Sequence, residues 1–430
     1  MKKLFVVLAV MLIAATTVFA NAANETKATS QERVVTTVCR ASYPNESWYN
    51  EMNAAFEKET GIKVIVNPTP GNDEDHDAKV NVDLLAGSKI DVIPSLGPIH
   101  YTGRMEAGFF MPLNDICKEQ GIDAAATWGG NIMYDEDGNF YGLPWKQELY
   151  VLLYNKTIFD AAGIAYPSGH MTWDEYAQLA QEITAKTGKY GSYMSIDCPW
   201  LIMEAFQNGV PMYKEDGTSN FDDPAFKKSL EWFNMMTNGT GTQPTAKYLN
   251  EDNASWNYYA IKGGDMAMFV QGNWFTRLMN NNTDYPKDWT YGLTQIPGDN
   301  NFSSTAWYSI NKNCEHKEEA IEYCLWLAKN QWKYENQLPA LTTLTEEEQQ
   351  LAFGAVADGS NGQVSVADYY NAAVNNDLGV VCSDIIGTAA LEYKLIINEE
   401  ASAYLQGLQT VDECVAKIVS RANEAIKNAQ

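Results

Sequence analysis

Flat aromatic rings and hydrogen-bonding side chains occur together at several points of this sequence, and they suit one kind of ligand. The rings are Trp145, Trp200, Trp274 and Trp307, and the polar groups are Lys146, Glu148, Asn273 and Asp384. An indole face can stack on the C–H patches of a sugar ring, while carboxylate, amide and ammonium groups can hydrogen-bond to its hydroxyls. These residue types therefore favour a sugar-binding site. Ordinary core packing is the alternative role for each ring, and a solvated strand-end carboxylate is the alternative for Glu148.

The element that must position the first of these groups is a predicted crossover strand. Leu149–Tyr154 is apolar without alternation, which is typical of a strand buried on both faces. The aromatic stretch before it stops at Pro144, which cannot donate to a sheet ladder. The polar residues 145–148 should therefore lie at the mouth of the buried strand and line a binding cleft.

Strands and helices alternate in the first part of the chain. The predicted strands are Val34–Cys39, Ile62–Val66 and Ile90–Ile93, with helices at Glu46–Thr60 and Asp77–Ala86 between them. This order predicts a parallel sheet with right-handed crossovers. Because ligands bind beyond the carboxyl ends of such strands, the loops Tyr43–Glu46 and Ser95–Gly97 should face the site. Asn45 and Glu46 are therefore further candidates for ligand contact.

Two later strands are predicted to lead back to the same site. Gly264–Val270 has the pattern of a buried strand and is followed closely by Asn273 and Trp274. Phe302–Ile310 passes Trp307 and is predicted to be a second crossover. A last helix should begin at the capping box Thr410–Glu413.

Length and charge limit the possible classes of protein. A chain of 430 residues is too long for one core, so we expect two domains. The formal net charge of -25 argues against nucleic acid and anionic membrane surfaces as partners, because both require a basic surface.

Residues 1–22 have the pattern of a cleavable signal peptide. Lys2 and Lys3 precede the short apolar run Leu4–Ala15, and Ala20-Asn21-Ala22 offers small residues for cleavage. The run is shorter than the roughly 20 residues that a membrane-spanning helix needs. We therefore expect export to the periplasm or the extracellular space, with a soluble mature protein.

The cysteines suggest neither a disulfide framework nor a metal site. The chain has 7 cysteines, an odd number, and no CxxC spacing. Most are predicted to be buried thiols, and a bridge between Cys314 and Cys324 remains undecided at this point. We expect no metal site, because the histidines are scattered, and we expect no cofactor.

Several segments, taken together, resemble one known family. They are VVTTVCRASYPNESWYNEMNAAFEKETGIKV, RMEAGFFMPLND, GLPWKQELYVLLYNKTIFDAAGI with MTWDEYAQLAQEI, GGDMAMFVQGNW and KNCEHKEEAIEYCLWLA. Their order is similar to that in the extracellular sugar-binding family of solute-binding proteins of bacterial ABC importers, which includes maltose-binding protein. The resemblance extends over essentially the whole chain after the signal peptide.

The resemblance implies an α/β, two-lobed periplasmic-binding-protein fold with hinge strands between the lobes. The N-terminal lobe would comprise residues 23–147 plus 309–378, and the C-terminal lobe residues 148–308 plus 379–430. Glu148 falls where the family accepts sugar hydroxyls, while Trp274 and Trp200 fall at ring-stacking positions. Asn45 and Glu46 match a ligand-facing loop in place but not in residue type, and Ser95–Gly97 departs further, which argues against maltose itself.

The function implied is to bind a sugar or oligosaccharide between the lobes and deliver it to the membrane permease of an ABC importer. We expect a monomer that is not an enzyme. One alternative keeps the fold but binds a charged solute. The few arginines of the predicted cleft disfavour a phosphorylated glycerol, whereas its several acids leave a polyamine possible. The other is an exported glycosidase, which needs a pair of carboxylates, whereas only Glu148 lies at a plausible cleft position with rings around it.

Overall fold

The structure is a computed structural model that describes residues 32–70, 73–245, 264–283 and 285–429. The predicted signal peptide, residues 1–22, lies outside the described residues.

A mixed sheet runs through the molecule, and in the described ranges it has 8 strands. They are β1 (Val34–Arg40), β2 (Lys63–Thr69), β3 (Val92–Ser95), β4 (Gly142–Asn155), β5 (Met268–Gly272), β6 (Tyr291–Thr294), β7 (Asn300–Ile310) and β8 (Gly379–Cys382). The order is β2-β1-β3-β7-β4-β5, with β6 beside β4 and β8 beside β7. β1 pairs in parallel with both β2 and β3, which confirms the parallel start that the sequence predicted.

Helices cover the sheet, and the last of them begins where its capping box predicted. They are α1 (Ser47–Thr60), α2 (Asp73–Leu85), α3 (Pro98–Glu106), α4 (Asn114–Glu119), α5 (Ala124–Trp128), α6 (Lys156–Ala162), α7 (Trp173–Thr187), α8 (Met203–Gln207), α9 (Pro224–Asn234), α10 (Phe275–Met279), α11 (Lys317–Glu335), α12 (Glu346–Gly359), α13 (Val366–Ala373), α14 (Ala390–Leu405) and α15 (Val411–Ala429). The capping box before α15 is confirmed, because Thr410 and Glu413 exchange hydrogen bonds.

β4 and β7 are the strands that cross between the two halves of the molecule. Residues Gly142–Leu149 of β4 pair with β7, and residues 150–155 pair with β5 and β6. β7 pairs with β3 near its end and with β8 near its start. The sequence placed the start of this crossover after Pro144, but β4 already begins at Gly142 and has a register shift between Pro144 and Lys146. The irregular pairing tolerates a residue that has no N–H group.

Separate apolar clusters lie on the two sides of this crossing. One packs α1 and α11 against β1 and the first half of β4, and another packs α7, α9, α14 and α15 against the second half of β4. A third brings Phe353 of α12 and Tyr369 of α13 against Val151 and Phe269. This third cluster joins α12 and α13 to β4 and β5.

All the cysteines lie among the described residues, and each is a free thiol, including Cys314 and Cys324. Within the described residues, no helix is both long and apolar enough to cross a membrane.

Candidate functional site

A row of polar side chains lies on β4 at the point where the strand crosses between the lobes. Lys146, Glu148 and Tyr150 alternate along the strand and therefore share one face of the sheet. Glu148 lies opposite Ser304 of β7, and Tyr150 lies opposite Gly272 of β5. The strand thus carries an ammonium, a carboxylate and a phenol from one lobe to the other.

Lys146 is held by two carboxylates. Its Nζ lies 3.0 Å from Oε1 of Glu148 and 3.3 Å from Oε1 of Glu335 on α11. The Glu335 side chain is 4% exposed, whereas that of Glu148 is 21% exposed. Burial acts to lower the pKa of Lys146, but Glu335 and then Glu148 outweigh it, so the pKa is raised above its ordinary value. Lys146 therefore remains charged and orients Glu148.

Tyr150 occupies the part of the row that reaches into the second lobe. Its ring packs against Trp200, with 5.6 Å between the ring centres. Burial raises the pKa of Tyr150, and the nearby charges of Asp384, Glu148 and Asp197 raise it further. Sequence reasoning missed Tyr150 and Asp197. Tyr150 could have been found from the sequence, because it follows Glu148 by two residues on the same strand and therefore lies on the same face.

Trp200 is predominantly buried. Its relative exposure is 9%, and its Nε1 donates a hydrogen bond to the carbonyl oxygen of Val270 at 2.8 Å. The ring is therefore fixed in orientation beside Tyr150, and only a small exposed part of Trp200 could contact a ligand.

Asn273 and Trp274 follow β5 directly, as predicted. The backbone N–H of Asn273 donates to the carbonyl of Leu149, and the Tyr369 hydroxyl donates to the carbonyl of Asn273, both at 2.7 Å. Trp274 is partly exposed, and its ring lies over Gly272, where an added Cβ would lie 2.3 Å from Nε1. A glycine at position 272 is thus what allows this ring position.

The loop after β1 approaches α10, which begins directly after Trp274. Glu46 lies 3.7 Å from Arg277 of α10 and also accepts a hydrogen bond from Trp48. Asn45 beside it is exposed. The loop and the helix are therefore in contact, and Trp274 lies directly before the helix.

The structure places two of the predicted ring platforms in the core. Trp145 and Trp307 are each 1% exposed. Trp145 packs beside Tyr308, while Trp307 stacks on Tyr101 with 4.6 Å between ring centres and donates to the carbonyl of Asn131. Burial corrects our expectation for Trp145, whereas Trp307, although buried, borders a cavity of about 340 Å³ that Gln147 and Thr305 also line. Their large apolar area is used to anchor the crossing strands in the N-terminal core.

Asp384 follows β8 and lies close to the start of α3. Its Oδ2 lies 3.5 Å from the backbone nitrogen of Ile99, and its Oδ1 lies 3.9 Å from Nζ of Lys394. Burial raises the pKa of the neighbouring Asp197.

In the ranges that the structure describes, no group of three or more His, Cys, Asp or Glu side chains could hold a metal ion.

The comparison with known families decides the class of this protein. Residues 41–334 match the family model of bacterial extracellular solute-binding proteins. The chain belongs to this family. It is 27% identical over 255 residues to the lactose-binding protein of Rhizobium radiobacter, a match that covers 56% of this chain and 57% of that relative. It is 26% identical over 179 residues to the arabinooligosaccharide-binding protein of Halalkalibacterium halodurans, covering 40% of this chain and 39% of that protein. The chain thus spans little more than half of the length of the first relative.

Solved structures confirm the two-lobed fold of this solute-binding protein. An ABC substrate-binding protein from Listeria monocytogenes, in complex with cycloalternan, has a TM-score of 0.75 at 20% identity and covers 92% of this chain and 100% of its own. The sugar-binding protein MalE of Xanthomonas citri has a TM-score of 0.70 at 21% identity and covers 92% of this chain and 98% of its own. At these identities the likeness establishes the fold alone.

Proposed function

We propose that this solute-binding protein binds a neutral sugar or oligosaccharide between its lobes and delivers it to the permease of an ABC importer. The observation that carries the proposal is the polar row Lys146, Glu148 and Tyr150 at the lobe crossing, with the partly exposed Trp274 directly after the neighbouring strand β5. A row of hydrogen-bonding groups beside an aromatic ring matches the hydroxyl edge and C–H face of a sugar. The names of the lactose-binding and arabinooligosaccharide-binding relatives support the same ligand class.

Each remaining candidate has a role in this proposal. Glu148 accepts hydrogen bonds from hydroxyls, and Trp274 stacks on a sugar ring. Tyr150 supplies a hydroxyl between them, while Asn273 and the margin of Trp200 line the wall of the second lobe. Asn45 and Glu46 close the opposite wall. We further propose that the C-terminal lobe includes α12 and α13, because these helices pack on β4 and β5.

The ion pair of Glu148 supports binding over catalysis. A glycosidase needs one carboxylic acid that donates a proton to the leaving oxygen. Glu148 lies 3.0 Å from the Lys146 ammonium, so it already accepts from a charged donor, which fits an accepting role. Lys146 is shared between Glu148 and Glu335, which disfavours a phosphorylated ligand. We therefore propose a binding protein that performs no chemistry on its ligand.

We also propose that residues 1–22 direct export and that the mature protein acts as a monomer in the periplasm or outside the cell, without a nucleic-acid partner. The family supports an extracellular setting.

The test is a thermal-shift and calorimetric screen of the mature chain against mono- and oligosaccharides. A bound sugar should raise the melting temperature by mass action and compact the protein in small-angle X-ray scattering. The hit should also be incubated overnight with the protein and analysed by mass spectrometry. A screen without any hit, or the appearance of shortened products, would overturn the proposal.

A further inference from the structure

Asp384 contacts α3, although Asp384 and α3 are attached to opposite ends of the crossover strand β7. It follows β8, which pairs with β7 at Asn300–Ser303, whereas α3 follows β3, which pairs with β7 at Trp307–Ile310. Oδ2 of Asp384 nevertheless lies 3.5 Å from the backbone nitrogen of Ile99 in the first turn of α3. The contact therefore joins the two lobes directly.

The first turn of α3 is also held by apolar packing on the second lobe. Ile99 is 7% exposed and belongs to the cluster that contains Tyr150 and Tyr393. Tyr101 on the same helix belongs instead to the cluster of Ile93 in the first lobe. Helix α3 thus packs on both lobes, and its first turn lies beside the carboxylate of Asp384.

Gly97 provides the room for this contact. A Cβ added to Gly97 would lie 3.1 Å from Oδ2 of Asp384. Gly97 has φ 172°, an extended conformation that any residue can adopt, so the backbone itself does not require glycine. The close approach of the Asp384 carboxylate is what a larger side chain would disturb.

Other ionisable side chains lie around the contact. Lys394 of α14 lies 3.9 Å from Asp384 and also acts on Asp197. Burial lowers the pKa of His100 on α3, with Asp77 opposing and Arg104 supporting that shift, so His100 is neutral at pH 7. A carboxylate at the start of a helix is favourable because it faces unsatisfied N–H groups and the positive end of the helix dipole.

We propose that Asp384 is a positioning residue for lobe closure, which latches the second lobe onto the N-terminus of α3, and not a hydrogen-bonding group for the sugar. The inference rests on the proposed function in that closure is what retains the ligand. It assigns Asp384 a different role from the sugar-edge role that its sequence position suggested.

The test compares Asp384→Ala and Gly97→Ala with Asp222→Asn, an exposed carboxylate of the second lobe paired with Lys214. Stopped-flow measurements give the sugar dissociation rate, and scattering with and without saturating sugar gives the degree of closure. Loss of one hydrogen bond to a charged group should speed dissociation by about tenfold in Asp384→Ala. Gly97→Ala should shift the rate in the same direction by less, and Asp222→Asn should match the wild type.

Gly97→Ala separates the two roles of Asp384, because it crowds the lobe contact and leaves the carboxylate in place. If Asp384→Ala speeds dissociation while Gly97→Ala matches the wild type, Asp384 is a sugar-edge residue and the latch is refuted. If the wild type binds no sugar in the screen, the proposed function fails by itself, and the scattering of the ligand-free variants decides on the latch. A closed wild type with open variants supports the latch in that case, and equal scattering overturns it.

Discussion

Removing Lys146 should destabilise the protein because it leaves Glu335 buried without its ammonium partner. We consider Lys146→Met, which keeps much of the volume of the side chain. Glu335 is 4% exposed and lies 3.3 Å from Lys146, and its Oε2 accepts a hydrogen bond of 3.4 Å from Gln331. After the substitution, this long bond to a neutral amide would compensate the buried carboxylate only weakly.

The expected loss is about 3 kcal/mol in the free energy of unfolding. Removing one partner of a buried ion pair typically costs about 3 to 5 kcal/mol, since the other charge stays in a poorly solvated place. We take the lower end because Glu148, the second partner, is 21% exposed and water can solvate it. Lys146→Met with Glu335→Gln removes both charges and should be about 2 kcal/mol more stable than Lys146→Met alone.

Urea unfolding of the sugar-free protein at pH 7 measures these values. The matched control is Lys186→Met, which breaks a pair of 2.7 Å with Glu182 in which the two side chains are 45% and 52% exposed. An exposed pair of this kind contributes less than about 1 kcal/mol. A loss below about 1 kcal/mol in Lys146→Met, or no recovery in the double variant, would refute the argument that the buried charge dominates.

Further predictions concern ligand affinity and acid stability. Trp274→Ala should weaken sugar binding by about 1 to 3 kcal/mol in calorimetry without unfolding the protein, and Trp326→Ala, a partly exposed ring of α11, should leave binding unchanged. Glu148→Gln should lower affinity by about tenfold or more; an unchanged dissociation constant would contradict a ligand role. Burial acts to raise the pKa of Asp91, but hydrogen bonds from Thr36 and His316 outweigh it, so the pKa is lowered. The ionised Asp91 therefore stabilises the fold at pH values above the ordinary pKa of aspartate, and this contribution is lost as the pH falls through the lowered pKa. Asp91→Asn should therefore cost about 2 to 4 kcal/mol in urea unfolding at pH 6, and less at pH 2.5.

Local patterns carried most of the secondary structure. The apolar run Leu149–Tyr154 and the capping box at Thr410 each placed an element correctly, because both signals depend on neighbouring residues alone. Pro144 misled the placement of the start of β4, since the register shift that accommodates it depends on the partner strand β7.

Side-chain roles in the site were less predictable because they depend on packing between distant elements. Trp145, Trp307 and Trp274 all lie in or next to predicted strands, yet the first two are buried. No pattern within their own segments distinguishes a buried ring from a partly exposed one. The ion pair of Lys146 with Glu335 joins β4 to α11 across 189 positions of sequence. Glu335 was therefore invisible to reasoning from motifs.

The polar character of the crossing strands links ligand binding to closure. Around Glu148 the paired residues are Gln147 with Thr305 and Glu148 with Ser304, whereas apolar clusters occupy both strands on either side. Polar side chains at this point need no fixed apolar partners, so rotation of one lobe about the strands would expose little hydrophobic surface. In the proposed function, the same side chains would exchange water for sugar hydroxyls as the lobes close. A stretch of the sheet that was apolar throughout would fuse the two cores into one and remove both the cleft and the closure.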